Sequence, residues 1–198
     1  MIDIKNTIIP SITEKTHMWV KTSDIYSRLL EDRIVFFTGE VDSHMAQNVI
    51  AQLLYLESKD SNKDIIMYVD SPGGHVTAGL AIYDTMQYIK CDIVTIGLWL
   101  AASMWSIILM AWTKWKRFAL PHNEVMIHQP LWWAQWQATD IAIQAEHILQ
   151  TKERLNKIIA KHTEKDITTI EKDVERDNWF TAEQAKEYWL IDNILTSR

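Results

Sequence analysis

VTIGLWLAASMWSIILMAWTKWKRFALPHNEVMIHQPLWWAQWQ, residues 94–137, is the segment from which the rest of the chain can be understood. Ser103 stands where an apolar strand pattern gives way to a helical one. A serine at such a turn can project its hydroxyl beside backbone N–H groups that bind an oxyanion, although a serine that opens a helix is more often only its N-cap. His128 ends a second apolar run, Val125 to Ile127, and precedes Gln129. Ser103 is therefore the candidate nucleophile and His128 the candidate general base.

Two further parts of a hydrolytic site lie outside this segment. DSPGGH (70–75) is a strong turn signal whose consecutive glycines let backbone N–H groups approach a bound group, although alone such a motif is usually only a turn. EKDVERD (171–177) supplies an acid that could orient the histidine, and the spacing leaves Asp173 and Asp177 as alternatives. No pair of histidines or cysteines has ligand spacing, so no metal site is expected.

The patterns on either side predict an α/β or α+β domain with parallel strand pairing. Residues 1–23 are expected to form an arm or loop. Strands are predicted at 34–39, 65–69, 93–98, about 117–120 and 124–127, and helices at 24–33, from Asp42 or Ser43, from Thr77, at 101–111, at about 139–162, and from Thr181 to near Tyr188. The long helix carries an apolar stripe that includes Ile148, Leu155 and Ile159, which indicates core or partner contacts.

Composition narrows the class of protein. The net charge of −6 gives no electrostatic basis for binding nucleic acid. A single cysteine, Cys91, excludes an internal disulfide and fits a reducing compartment. The run from Val94 to Trp112 carries no charge and is long enough to span a bilayer, but Thr95 and Ser103 interrupt it and no second span follows. With no signal peptide at the N-terminus, a single cytoplasmic domain is expected.

Several motifs in consistent order resemble the Clp protease proteolytic subunit family, caseinolytic protease P. They are DIYSRLL (24–30), SPGG (71–74), AASM (101–104), KRFALP (116–121), VMIHQP (125–130), QATDI (137–141) and ERD (175–177). The resemblance covers about residues 7–198. It implies a crotonase-like fold of stacked ββα units, a handle at about residues 129–162 and an N-terminal arm or axial loop at residues 1–23.

The same resemblance implies a serine endopeptidase with Ser103 as nucleophile, His128 as base and Asp177 as orienting acid. Its oxyanion donors fall on the N–H groups of Gly74 and Met104. The substrate backbone would pair as an added strand with two segments. These segments are Gly74, His75 and Val76 on one side, and Pro130, Leu131 and Trp132 on the other.

The resemblance also implies partners. Family members assemble as two stacked seven-membered rings, a tetradecamer, and a ring-shaped AAA+ unfoldase docks on them and feeds in unfolded proteins. Tyr68 and Tyr88 fall at the docking pockets. The peptidase itself needs no cofactor, because ATP is used by the unfoldase, and neither nucleic acid nor a membrane is implied as a partner.

Ten tryptophans and five glycines are unusual numbers for a chain of 198 residues. Average usage predicts about 14 glycines. The family has glycine where this chain has Trp19, Trp99, Trp105, Trp112, Trp115, Trp132, Trp133, Trp136 and Trp189. Our hypothesis is that UGA codons, which some bacterial lineages read as glycine, have been decoded as tryptophan. Trp179 differs, because the family tolerates an aromatic residue there.

Physical reasoning indicates the same positions without the family. Trp189 follows a capped helix, where a left-handed residue is wanted, and Trp115 stands in a turn between two lysines. Trp105 would crowd the turn after Ser103. We expect the backbone to be special at each of these tryptophans, so that a polypeptide carrying them misfolds or is inactive.

Two other functions remain open. One is a catalytically silent scaffold subunit in a mixed ring, against which the complete set Ser103, His128 and Asp177 argues. The other is a crotonase-type acyl-CoA enzyme on the same fold, which would have no reason to keep these three residues together.

Overall fold

The computed structural model describes residues 9–131 and 137–197, which form nine strands and seven helices. The strands are β1 (Ser11–Lys15), β2 (Val20–Asp24), β3 (Ile34–Thr38), β4 (Ile65–Ser71), β5 (Ile93–Ala102), β6 (Arg117–Ala119), β7 (Glu124–Ile127), β8 (Asn178–Thr181) and β9 (Asn193–Ile194). The helices are α1 (Ile25–Glu31), α2 (Ser43–Lys59), α3 (Val76–Tyr88), α4 (Met104–Met110), α5 (Ala138–Thr163), α6 (Ile167–Asp173) and α7 (Ala182–Glu187).

A seven-stranded sheet is the centre of the fold. Strands β3, β4, β5, β6 and β9 lie side by side in that order, and each pair is parallel. The long strand β5 has two successive partners, because residues 95–97 pair with β6 and residues 100–102 pair with β7. β7 also pairs antiparallel with β8. The end of β5, which leads to Ser103, therefore lies beside the end of β7, which leads to His128.

Alternation and helical spacing explain the core. Along β4 every second residue is buried, from Ile65 to Ser71, as expected for a strand whose two faces differ. On α2 the buried residues recur every three or four positions, which places Leu53 and Leu56 on the sheet side. Every residue of α4 is buried, so this helix lies inside the molecule behind the turn at Ser103.

A buried ion pair holds the far end of the sheet together. Arg117 on β6 and Asp192 are 1% and 3% exposed, and their side chains meet at 2.6 Å. The Arg117 guanidinium also donates to the carbonyl oxygens of His162 and Trp189, at 2.9 and 3.1 Å. A buried cation needs such partners because leaving water is expensive. Arg117 thus joins the ends of α5 and α7 to the sheet.

Most of the predicted elements are present, with some corrections. The arm predicted at residues 1–23 contains the antiparallel hairpin of β1 and β2. Strand β5 continues to Ala102, so the helix predicted from Ala101 begins only at Met104. The helix predicted from Thr77 begins at Val76, and His75 occupies its N-cap position. Helix α6 and strands β8 and β9 are short, and the sequence patterns did not reveal them.

The caps and the uncharged run are also resolved. Asp42, and not Ser43, caps α2, because its carboxylate accepts from the Met45 N–H at 2.7 Å. The last predicted helix begins as expected at Thr181, which forms a capping box with Gln184. The uncharged run that raised the membrane alternative is divided between β5 and α4, and none of the helices in the described part of the chain is both long and apolar enough to cross a membrane.

Candidate active site

Ser103 occupies a strained turn between β5 and α4. Its φ of 56° and ψ of −123° lie outside the regions that residues with a side chain favour, which is a conformation found at functional sites. The Ser103 N–H donates to the Met126 carbonyl at 2.9 Å, and its own carbonyl accepts from the N–H and the hydroxyl of Ser106, at 3.1 and 2.6 Å. The Ser103 side chain makes no capping bond. Its hydroxyl is therefore not used as a helix cap, and it points elsewhere.

That hydroxyl points to His128. The distance from Ser103 Oγ to His128 Nε2 is 2.7 Å, and His128 Nδ1 lies 3.0 Å from Asp177 Oδ1. The register of β7 and β8 explains the second contact: Ile127 is opposite Asn178, so the next residues outward, His128 and Asp177, face each other. The structure thus brings the predicted serine, histidine and acid into one hydrogen-bonded row.

The two candidate acids have different surroundings. The Asp173 carboxylate accepts from the Tyr188 hydroxyl at 2.5 Å, which together with burial raises the pKa of Tyr188 above its usual range. Asp177 faces His128 and is 61% exposed, whereas the His128 side chain is 12% exposed. A polar contact this open to water adds little stability. The geometry selects Asp177, whose carboxylate is suited to fixing the orientation of the imidazole.

The two glycines of the 70–75 turn form a wall against the serine. A Cβ atom on Gly73 would lie 2.7 Å from Ser103 Cβ, and one on Gly74 would lie 2.3 Å from the Val41 carbonyl oxygen. Both glycines have positive φ, 113° and 144°. Backbone bonds hold the wall in place, from Val41 N–H to Gly73 O at 2.7 Å and from His75 N–H to Val41 O at 2.8 Å. Only glycine permits this approach.

Two backbone N–H groups remain beside the serine. The bonds that fix the wall do not use the N–H of Gly74. Met104 is the first residue of α4, and the first N–H groups of a helix have no partner within the helix. These are the two predicted oxyanion donors: Met104 directly follows Ser103, and Gly74 directly follows Gly73, which approaches the Ser103 side chain.

A small cavity and a larger groove meet at this site. The cavity, about 20 Å³, is lined by Ser103, His128 and apolar side chains such as Leu155 and Ile159, and it is large enough for about one water molecule. The groove, about 490 Å³, runs between Gly74–Thr77 and α5. Val76 and Pro130 line both.

The remaining predicted binding residues lie around this groove or away from it. Gly74, His75 and Leu131 line the groove, and Leu131 is 76% exposed. Trp132 lies outside the described residues. The two tyrosines are far from this groove's lining and differ from each other: Tyr68 stacks on Phe36 with ring centres 5.2 Å apart, whereas Tyr88, at the end of α3, is 81% exposed.

Three residues near the site were not found by sequence reasoning. The Asp70 carboxylate accepts from the Leu100 N–H at 3.1 Å, where the pairing of β4 and β5 shifts register. The Ser71 hydroxyl donates to the Gly39 carbonyl and accepts from the Gly73 N–H. Val41 pairs with the glycine wall. Asp70 and Ser71 are polar residues that follow the predicted apolar strand at 65–69, and this change was the available signal for them. Nothing in the sequence indicated Val41.

The tryptophans differ from one another in backbone conformation. Among the described positions in question, Trp115 and Trp189 have positive φ, 77° and 72°. Trp189 closes α7 as a Schellman motif, since its N–H donates to Lys186 O and the N–H of Leu190 donates to Ala185 O. The expectation of special backbone at every such tryptophan is wrong, because Trp105 lies within helix α4 and has no positive φ. Trp132, Trp133 and Trp136 lie outside the described residues.

Two tryptophans, the buried Trp105 and the half-buried Trp112, have a buried indole nitrogen without a partner among the described residues. Trp105, two residues after Ser103, is fully buried against Phe37 with ring centres 5.2 Å apart, so the ring is accommodated in the core and does not block the turn. No described residue accepts a hydrogen bond from Nε1 of Trp105 or of Trp112. A buried donor without a partner costs about 1–3 kcal/mol.

A comparison with known families follows from this geometry. In the described part of the chain, no group of three or more histidine, cysteine, aspartate or glutamate side chains is arranged to hold a metal ion. The model of the family described as Clp protease matches residues 15–198, almost the whole chain. The α/β fold with a parallel sheet agrees with that match, so the predicted fold class and resemblance are confirmed. This chain belongs to the Clp protease family, whose members are in general serine peptidases.

Proposed function

We propose that this chain is the proteolytic subunit of an ATP-dependent Clp protease, a serine endopeptidase that cleaves unfolded proteins to small peptides. The row from Ser103 Oγ through His128 to Asp177, with contacts of 2.7 and 3.0 Å, is the observation that carries the proposal. Hydrogen-bond contact between nucleophile, base and orienting acid is the signature of this chemistry on unrelated folds.

The proposed reaction is acyl transfer. Ser103 Oγ attacks the peptide carbonyl carbon while His128 Nε2 takes the hydroxyl proton. The C–N bond then breaks, and His128 returns the proton to the leaving amine, which leaves an acyl ester on Ser103. Water repeats the sequence and releases the acid. Asp177 keeps His128 Nδ1–H directed at its carboxylate and stabilises the imidazolium.

The proposed oxyanion donors are the N–H groups of Gly74 and Met104. Their value depends on being fixed before the reaction, because preorganised donors need no reorganisation as charge develops. Support comes from the wall contacts: Gly73 meets the Ser103 side chain and Gly74 meets Val41, so neither segment can shift independently.

The substrate is proposed to bind as an added strand. One partner would be Gly74–Val76 and the other Pro130–Trp132, and the groove between them supports this for the residues that are described. An extended backbone recognised through its own N–H and C=O groups fits any unfolded chain, which suits a general protease.

The assembly and domain arrangement are proposed from the family. The chain would be one domain with an arm at residues 1–23 and a handle at about 129–162, in two stacked seven-membered rings. An AAA+ unfoldase would dock near Tyr68 and Tyr88 and consume the ATP. The peptidase chemistry uses no cofactor, and the proposed location is the cytoplasm.

The decisive test is hydrolysis of a quenched fluorescent peptide by matched variants. Ser103→Ala and His128→Ala should each lower kcat by about 10³-fold or more, because the members of such a row act as a unit. Asp177→Asn should also lower kcat strongly. Asp173→Asn is the control, since Asp173 bonds Tyr188 and should leave hydrolysis within a few-fold of the parent. Turnover that persists in Ser103→Ala would refute the assignment.

The protein tested must have a known sequence at the tryptophan positions. Intact mass of the native protein, or its codons, would reveal glycine at eight or nine of them if the decoding hypothesis holds. The misfolding or inactivity expected of the tryptophan-bearing polypeptide would be contradicted by peptidase turnover from it.

A silent scaffold subunit is the second candidate. The cavity of about 20 Å³ beside Ser103, too small for most side chains, favours it. Reaction of Ser103 with a fluorophosphonate probe separates the two, because a silent subunit would not be labelled.

A further inference from the structure

The groove beside the site is lined by a charged side chain, Arg154, that has no role in the proposed chemistry. Its wall from α5 is formed by His147, Ile148, Thr151 and Arg154, which are spaced so as to share one face of the helix. The opposite wall is Gly74–Thr77, the segment proposed to pair with substrate. The groove is therefore lined on one side by backbone and on the other by a helix face with one permanent cation.

Arg154 is exposed and has no side-chain partner in the described part of the chain. Within residues 9–131 and 137–197, no hydrogen bond or ion pair joins its guanidinium to another side chain. The neighbouring carboxylates are already engaged, since Glu153 pairs with Lys157 and Glu175 with Lys152. The side chains that line the groove include no carboxylate, and besides Arg154 they include two histidines, His75 and His147. The groove is thus suited to a negative group.

One face of α5 lines both the groove and the cavity at Ser103, so it gives the distance from the groove to the scissile bond. Leu155 and Ile159 line the cavity at Ser103, and the groove is lined by Arg154, next to Leu155, and by residues up to about two turns earlier. From Leu155 to Ile148, near the far end of this wall, the helix rises about 10 Å. An extended peptide covers that distance with about three residues. A side chain two to four residues from the scissile bond would therefore reach this wall.

We propose that Arg154 makes the site prefer substrates with an acidic side chain two to four residues from the scissile bond. This inference rests on the proposed peptidase function and names a preference within it. The apolar surface of Ile148 and Leu80 would receive the methylene carbons of a glutamate, and the guanidinium would pair with its carboxylate. Because the pair is open to water, its effect is modest and falls as salt screens it.

The test compares peptides that differ at one position. Quenched fluorescent peptides of one sequence carry Glu, Gln or Lys at each position two to four residues on either side of the bond. At one or more of these positions, we expect kcat/KM at low salt to be about three-fold higher for Glu than for Gln, and lower for Lys than for Gln. Arg154→Glu should invert the order, and Arg154→Gln should remove it. Raising the salt concentration should shrink the preference in the parent protein.

The control is Lys161→Gln, which removes a charge from the same helix at a position that does not line the groove and leaves the Glu153–Lys157 pair intact. It should keep the preference for Glu. An equal Glu-to-Gln ratio in the parent, or a ratio that Arg154→Glu leaves unchanged, would overturn the inference while hydrolysis itself continued.

A binding measurement separates failure of this inference from failure of the proposed function. Fluorescence anisotropy of the labelled Glu and Gln peptides with Ser103→Ala measures recognition without turnover. Tighter binding of the Glu peptide that disappears with Arg154→Gln supports the inference even if hydrolysis is absent. Equal binding of the two peptides overturns it.

Discussion

An unusual backbone conformation is shared by two parts of the molecule, the glycine wall at Gly73 and Gly74 and the turns at Trp115 and Trp189. The two parts differ in how much room they leave for a side chain. All four residues have positive φ. At the wall, backbone and the Ser103 side chain leave no room for a Cβ atom. At the turns the side chains extend outward, with Trp115 72% and Trp189 43% exposed.

The contrast separates two reasons for glycine. A positive φ alone costs a residue with a side chain about 1–2 kcal/mol, which a folded protein can tolerate at its surface. A close approach of backbone to backbone has no such tolerance, because any Cβ atom overlaps it. At Gly73 and Gly74, both the positive φ and the close approach of backbone require glycine. At Trp115 and Trp189 only the positive φ favours it.

The largest effect is expected at Gly74. In Gly74→Ala the new methyl group would lie 2.3 Å from the Val41 carbonyl oxygen, so the wall must move. We expect a loss of about 4 kcal/mol in the free energy of unfolding. The same movement displaces a proposed oxyanion donor, so kcat for peptide hydrolysis should also fall. Urea unfolding and peptide turnover measure the two effects.

Gly39→Ala is the matched control for that variant. Gly39 has a φ of 89°, but nothing lies within 4 Å of a Cβ atom built there. The alanine should cost only about 1 kcal/mol. If the two alanine variants were equally stable, close approach would not be the reason for glycine at the wall.

The second effect concerns His162, whose carbonyl is bound by the same arginine as that of Trp189. Arg117 binds the carbonyls of Trp189 and His162, and burial, aided by Lys161 and Arg117, lowers the pKa of His162 to about 4. His162 is thus neutral when folded and takes up a proton near pH 6.5 when unfolded, so the unfolded state binds more protons between these values. Stability should be full above about pH 6.5 and fall by about 3 kcal/mol as the pH drops to 4.

The contribution of His162 is obtained by difference, since carboxylates also titrate in this range. Chemical unfolding of the parent and of His162→Gln at pH 7 and pH 4 gives the two slopes, and the variant should show the shallower one. His44→Gln is the control, because His44 lies exposed on α2. Equal pH dependence of the parent and His162→Gln would contradict the prediction.

The third effect tests what holds the wall relative to the nucleophile. Asp70→Ala leaves the Leu100 N–H without its acceptor at the register shift between β4 and β5. We expect a loss of about 1–2 kcal/mol in stability. A several-fold fall in kcat with little change in KM should accompany it, because the strand end that carries Ser103 is loosened. Asp70→Asn keeps an acceptor oxygen and should restore both properties, whereas a variant as impaired as Asp70→Ala would show that charge, and not the hydrogen bond, is needed.

Sequence reasoning located the parts of the site because each part follows an ordinary local signal. Ser103 lies at a change of periodicity, His128 at the end of an apolar run, and the glycines at a turn. The order of strands and helices indicated the sheet for the same reason. These signals extend over a few residues, which is the range over which sequence patterns are informative.

The features of the site that local patterns did not reveal depend on pairing between segments that are distant in the chain. The choice of Asp177 over Asp173 follows from the register of β7 and β8, and the contact of Val41 with Gly74 joins loops that no local pattern connects. The expectation of special backbone at all the tryptophans also failed, since Trp105 lies within helix α4 and has no positive φ. A family glycine does not by itself reveal whether backbone conformation or close approach requires it.

The smallest effect is expected where tryptophan occupies a left-handed turn. The Lys116 N–H donates to the Thr113 carbonyl at 3.2 Å, and Trp115 is the third residue of this turn with a φ of 77°, as in a type II turn that favours glycine there. Relative to the tryptophan-bearing polypeptide, Trp115→Gly should raise the free energy of unfolding by about 1 kcal/mol, or about 2–4 °C in Tm. Trp189→Gly should do the same to a smaller extent, because that ring is partly buried. A destabilising Trp115→Gly would mean that the exposed ring stabilises its turn by more than the backbone strain, and positive φ could then no longer be used to decide which tryptophans stand for glycine.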